Sequence, residues 1–173
     1  MNLKRIGYET YSRIAIKVGS NVLTVRTEGW NLTRMSALVD QIAELRRMDK
    51  EVILISSGAV AAGKGEMKEC TGLDAVSARQ LFSAVGQIKL MNRYDEFFGG
   101  YGLRCGQVLT MKESFSTRRH YLNQKQCMEV MLEHGIVPVV NENDTVSVTE
   151  LMFTDNDELS GLIAKMMNAD TLI

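Results

Sequence analysis

Two short clusters, Asn141-Glu142-Asn143-Asp144 and Asp155-Asn156-Asp157, place seven acid or amide side chains close together in the chain. Carboxylates of this kind can hold an ammonium or orient a metal-borne or lysine cation, and amides can donate to a carboxylate. Between the clusters, Val146, Val148 and Leu151 stand beside polar neighbours. That pattern predicts a small hairpin over residues 145–154 that would bring the clusters together. A third candidate is Lys17, set in the apolar run Arg13-Ile-Ala-Ile-Lys-Val18 just before Gly19 and Ser20. A lysine there either snorkels to water from an edge strand or forms the cation of a phosphate site beside exposed backbone amides.

Other chemistries lack their parts. His120 sits beside Arg118 and Arg119, and His134 falls at a helix end, where a cation suits the dipole. Neither forms a Ser-His-Asp or Cys-His pattern. Cys70, Cys105 and Cys127 are scattered without metal-ligand spacing and read as reduced thiols. Asp155-x-Asp157 continues into Leu159 and Ser160, whereas a calcium loop needs a ligand at position five and Gly at six. No protein metal site is expected. Gly58-Ala-Val-Ala-Ala-Gly63-Lys64 matches the GxxxxGK phosphate-loop pattern, but Gly65 stands where Ser or Thr should hold the metal ion. Its Ala-Val-Ala-Ala interior suits a helical turn better than a loop of left-handed amides, so the match reads as accidental.

The elements that must position these residues alternate. Arg13–Val18, Glu51–Ile55, Cys105–Met111 and Ile136–Val140 are short apolar runs ending in turn residues, the pattern of buried strands. Leu32, Met35, Leu38, Val39, Ile42, Leu45 and Met48 recur at helical spacing, with Asn31 or Thr33 as cap. A helix is predicted from Ala59, another over Ala75–Phe98 ended by Gly99-Gly100, and another from a Phe115-Ser116 staple and cap to His134-Gly135. Asp155 is expected to cap a last helix over Asn156–Asn168, after which Thr171-Leu172-Ile173 begins a further strand. Apolar strands alternating with helices imply an α/β fold, a three-layer αβα sandwich around a mostly parallel sheet. Ligands of such sheets sit beyond the carboxyl ends of the strands, which is where Gly19-Ser20, Ser56-Ser57-Gly58 and Asn141–Asp144 fall. A polar cluster there could equally be turn chemistry, since Asn and Asp favour turns.

Composition narrows the partners. The chain has 173 residues, 45% hydrophobic and 24% charged, enough for one core. Its 20 basic residues against 21 acidic ones give no global field for nucleic acid or an anionic membrane, so a small solute is the better partner. The first twenty residues hold Lys4, Arg5, Glu9, Arg13 and Lys17 without an apolar core, and no segment approaches the ~18 apolar residues of a membrane span. A cytoplasmic location is expected.

Taken together, Ile16-Lys17-Val18-Gly19-Ser20, Ser56-Ser57-Gly58-Ala59-Val60-Ala61-Ala62-Gly63, Asn141-Glu142-Asn143-Asp144 and Asp155-Asn156-Asp157-Glu158-Leu159-Ser160 resemble the amino acid kinase family. The similarity runs from about Arg13 to Ile173. The Ser-Gly-Ala segment occurs in relatives with other acceptors, while its combination with Asn-Glu-Asn-Asp and Asp-Asn-Asp is similar to the branch that acts on L-glutamate. The resemblance implies ATP-dependent phosphorylation of the glutamate side-chain carboxylate, with Mg2+, at the entry to proline synthesis. It implies that Lys17 contacts ATP phosphates beside Gly19 and Ser20. It further implies that Ser57, Asp144 and Asn156 bind glutamate and that Asp157 organises the catalytic lysines. The family continues through a nucleotide-binding half, and often a PUA domain, so residues 1–173 are expected to form the N-terminal, substrate-binding part of one kinase domain. An incomplete final strand would leave an apolar flank, and a homo-oligomer is expected.

Overall fold

The computed structural model describes residues 10–25, 29–67, 72–146 and 156–173. Residues 147–154 of the predicted hairpin, the Asp155 cap and Cys70 lie outside them. Five strands form one sheet in the order β5-β6-β4-β1-β7, every neighbouring pair parallel. They are β1 (Arg13–Val18), β4 (Glu51–Ser56), β5 (Arg104–Thr110), β6 (Ile136–Glu142) and β7 (Thr171–Leu172). A separate two-stranded ribbon pairs β2 (Thr24–Val25) with β3 (Gly29–Trp30), which the sequence pattern did not announce.

Alternation along the strands sorts the core into two layers. Ile14, Ile16, Val18, Val52, Leu54, Val137 and Val139 pack on one face against α2 (Leu32–Arg47) and α4 (Ala75–Gly99). Ala15, Ile53, Ile55, Val108 and Val140 pack on the other against α6 (Arg118–Glu133) and α7 (Asn156–Met166). A strand of period two buried on both faces must be apolar throughout, which is why these runs show no polar alternation.

The helix caps follow local chemistry. Asn31 Oδ1 accepts from Arg34 N at 3.1 Å, and Asp74 Oδ1 accepts from Val76 N and Ser77 N at 2.9 and 3.0 Å. The segment after β5 differs from expectation. A short turn, α5 (Glu113–Ser116), ends at Ser116, and Thr117 caps α6 by accepting from His120 N at 3.4 Å. Ser116 instead donates to Glu113 O at 2.9 Å, so its hydroxyl is spent backwards and the extended Thr117 takes the cap. Strand β6 also runs two residues past Val140, because Asn141 and Glu142 stay in ladder register with Leu109 and Thr110.

Two glycines set how closely the helices near the site approach. α3 (Ala59–Glu66) crosses α4 where Gly63 meets Phe82 and Gly86 meets Ala59. A Cβ on either would fall 1.8 Å from a backbone carbonyl oxygen. Only glycine permits this backbone contact, and it holds the start of α3 against α4.

Candidate functional site

Three parallel strands end side by side, and the candidate residues emerge from those ends. Lys17 lies opposite Ile55, and Ile55 opposite Val140, so Gly19, Ser57 and Glu142 leave the sheet at about one level. The ends of β1 and β6 are two strand spacings apart, about 10 Å. The ends open into a cleft of about 540 Å³, lined among others by Lys17, Gly19, Ser57, Arg79, Asp144 and Asn156.

At the β1 end, Lys17 Nζ pairs with Asp157 Oδ1 at 2.6 Å, the carboxylate coming from the first turn of α7. The pair is open to water, with side-chain exposures of 29% and 71%, so it orients the ammonium without withdrawing it from the cleft. A Cβ on Gly19 would lie 3.7 Å from Nζ, which places the cation directly over the chain turning out of β1. Ser20 opens the four-residue α1 (Ser20–Leu23) and lines the same cleft.

In the middle, Asn156 Nδ2 donates to Ser57 Oγ, joining the start of α7 to the end of β4. Gly58 follows with φ of 110°, a left-handed conformation that a side chain would strain, and turns the chain into α3. The first intrahelical bond runs from Ala62 N to Gly58 O at 2.9 Å, so the backbone N–H groups of the first turn are left without intrahelical partners. Gly58, Ala59, Val60 and Ala61 line the cleft, which makes this turn a place for an anion.

At the β6 end, Asp144 and Glu142 are buried and Arg79 of α4 reaches both. Arg79 Nε donates to Asp144 Oδ1 at 2.8 Å, its Nη2 lies 2.6 Å from the same oxygen, and Nη2 reaches Glu142 Oε2 at 3.3 Å. Ser83 Oγ approaches Asp144 Oδ2 at 3.5 Å, and Asn141 Nδ2 donates to Gln87 Oε1 at 3.0 Å. The polar side chains of β6 and the following turn are thus met by a stripe on α4: Arg79, Ser83 and Gln87, four residues apart.

Lys17, Gly19, Ser20, Ser57, Asp144 and Asn156 all line the cleft, and Asp157 joins them through Lys17. Sequence reasoning missed Arg79 and Lys64, which also line it. Lys64 falls in the accidental phosphate-loop match, and that segment is the helix α3. Arg79 had a signal: the stripe 79-83-87 continues as Leu90, Tyr94 and Phe98, all buried in the core. One helix face turns from polar to apolar as it passes from the strand ends onto the sheet.

Cys105 and Cys127 stay outside the cleft. Cys105 is packed against the core, and burial, with Asp95 nearby, pushes its thiol up to about 11. Cys127 is exposed. Among the described residues, no group of three or more His, Cys, Asp or Glu side chains could hold a metal ion, and no helix is long and apolar enough to cross a membrane.

Comparison with known proteins adds an independent line. Residues 12–173 match the model of the amino acid kinase family. The chain is 67% identical over 165 residues to a glutamate 5-kinase of Bacteroides thetaiotaomicron, covering 95% of this chain and 46% of that protein. It is 48% identical over 166 residues to a glutamate 5-kinase of Chlorobaculum tepidum, covering 96% of this chain and 46% of that protein. The chain therefore spans under half the length of these relatives. Among solved structures, a carbamate kinase from Giardia superposes with a TM-score of 0.63 at 16% identity, covering 94% of this chain and 72% of that one. At that identity the likeness is one of fold.

Proposed function

We propose that this chain, which belongs to the amino acid kinase family, forms the glutamate site and the first phosphate-binding turn of a glutamate 5-kinase. Its substrates would be L-glutamate and ATP, its products L-glutamyl 5-phosphate and ADP, the first step of proline biosynthesis. The observation that carries this reading is the order of groups along the cleft. An ammonium partner (Asp144) stands at β6, neutral donors (Ser57, Asn156 and the start of α3) at β4, and a cation (Lys17) at β1. An amino-acid head, an acceptor carboxylate and a phosphoryl donor would lie in that order across about 10 Å.

The chemistry needs little beyond alignment and charge. The acceptor carboxylate is ionised at neutral pH and needs no general base, in keeping with the absence of His and Cys among the described lining residues. One carboxylate oxygen forms a bond to the γ-phosphorus, the bond from that phosphorus to the β-bridging oxygen breaks, and ADP leaves with the electron pair. Negative charge crowds together as the two meet. Lys17, aimed by Asp157, offsets it, while Ser57 and Asn156 hold the acceptor in line.

Mg2+ would accompany the triphosphate and supply positive charge against its oxygens. Such an ion commonly keeps several waters and takes one or two carboxylates, so it asks for no protein cage. Asp157, beside Lys17, would be the carboxylate to meet it. Adenine contacts and a further cation would lie outside residues 1–173, which makes this segment the substrate-binding part of the kinase domain.

Trapping the acyl phosphate with hydroxylamine tests the reading. A polypeptide of the relatives' length carrying this segment should form the hydroxamate only with ATP and L-glutamate together. Hydroxamate formed equally well with carbamate-type or N-acylated acceptors would reject glutamate as the acceptor.

A further inference from the structure

We infer that Arg79 anchors the α-carboxylate of the bound amino acid, so that Arg79 and Asp144 together read the zwitterionic head. This rests on the cleft being the glutamate site, and extends it to a residue in no recognised motif of the chain. Arg79 lies on α4, and its guanidinium already spends Nε and Nη2 on Asp144 and Glu142. Nη1 has no partner among the described residues, the side chain is 41% exposed, and it lines the cleft. A guanidinium carries five N–H donors in a planar fork, so holding one carboxylate leaves capacity for a second.

Charge and spacing point the same way. Arg79 and Asp144 form a pair of opposite charges, matched by the ammonium and carboxylate of a zwitterionic head. The ammonium and carboxylate of an α-amino acid hang on one carbon. A site that reads both must therefore present opposite charges next to each other, and Asp144 and Arg79 stand in contact at 2.6 to 2.8 Å. The buried Ser83 and Glu142 fix that pair from behind, so the exposed edge of the guanidinium faces solvent in the cleft.

Titration calorimetry on the chain with L-glutamate and with 4-aminobutyrate, which lacks the α-carboxylate, separates the possibilities. The unmodified chain should prefer L-glutamate. Arg79→Gln should weaken L-glutamate by about 10- to 100-fold, the size of one charge-assisted pair, and leave 4-aminobutyrate within about threefold. Arg79→Lys keeps the charge on Asp144 but not the fork, and should lose part of the preference while melting like the unmodified chain; it carries the test if Arg79→Gln does not fold. Equal losses for both ligands, or a preference unchanged in Arg79→Lys, would overturn the anchor and leave the glutamate site standing. Binding of neither ligand by the unmodified chain would overturn the glutamate reading and the anchor with it.

Discussion

The two ends of the sheet use charge in opposite ways. At the amino end, Arg13 of β1 spends four of its five N–H donors on the protein. Its Nε pairs with Glu51 at 2.6 Å, Nη2 with Glu129 at 2.8 Å, and Nη1 reaches Glu129 Oε1 at 2.9 Å and Met167 O at 2.5 Å. One side chain ties β1, β4, α6 and the end of α7. Nearby, Asp170 Oδ2 accepts from Ser12 N and Arg13 N at 2.7 and 2.8 Å, fixing β7 beside β1. At the carboxyl end, Lys17 and Arg79 each hold one carboxylate partner closely and remain partly open to water. Saturated charges staple a fold, whereas charges with spare capacity facing a cleft are available to a ligand. Burial costs alone would favour the first arrangement everywhere.

Breaking the carboxyl end should show most strongly in the chemistry. In a polypeptide of the relatives' length, Lys17→Ala should lower kcat by about 10²- to 10³-fold with little change in the KM for glutamate, since a phosphate cation acts as charge moves. Steady-state kinetics decides it: a near-normal kcat would remove Lys17 from the phosphate site.

Gly86→Ala strikes the scaffold under that end. The added methyl would fall 1.8 Å from Ala59 O, so α3 and α4 must part. A loss of about 2–3 kcal/mol in denaturant unfolding is expected, together with weaker glutamate binding, because the anion-facing turn of α3 moves with the helix. Unchanged unfolding would show that the two helices separate freely.

Arg13→Ala should do the reverse of Lys17→Ala, sharpening the contrast. We expect a loss of about 2 kcal/mol, below the range for a fully buried pair because Arg13 keeps some contact with water, and no change in glutamate affinity. Impaired binding in a folded Arg13→Ala protein would mean that the two ends are coupled.

The smallest effect is expected at Asp170. The backbone N–H of Arg13, then that of Ser12, holds its carboxyl below the usual value of 3.8. A carboxyl lowered on folding contributes stability above its unfolded value and loses it as pH falls through the folded one. Asp170→Asn should therefore lower the melting temperature slightly at neutral pH and lose that difference below pH 3.8, measured by thermal melts across pH. A difference that persisted at low pH would assign it to packing.

Much of this was legible in the chain because the relevant physics is local. A strand buried on both faces must be continuously apolar, as at Ile14–Ile16 and Val52–Ile55, and a parallel sheet puts its turns, and so its ligand, at one edge. Asn31 and Asp74 cap their helices through groups two or three residues away, so such caps need no tertiary information. Ser116 misled because Thr117, one residue on, competes for the same role, and backbone conformation settles that choice. Lys17 stood out as the charge within an apolar strand, and Ser57 and Asp144 fell in turns after strands, but their roles came from the family resemblance. Their partners could not be read from the chain. Arg79 meets Asp144 across 65 residues of sequence, Asn156 meets Ser57 across 99, and Lys17 meets Asp157 only once α7 has docked by β1. Each pairing depends on where a helix crosses the strand ends, which is decided by packing on a shared core. Sequence by itself determined the sheet, its ligand edge and the residue types gathered there; the tertiary structure decided which of those charges are spent on each other and which are left for a substrate.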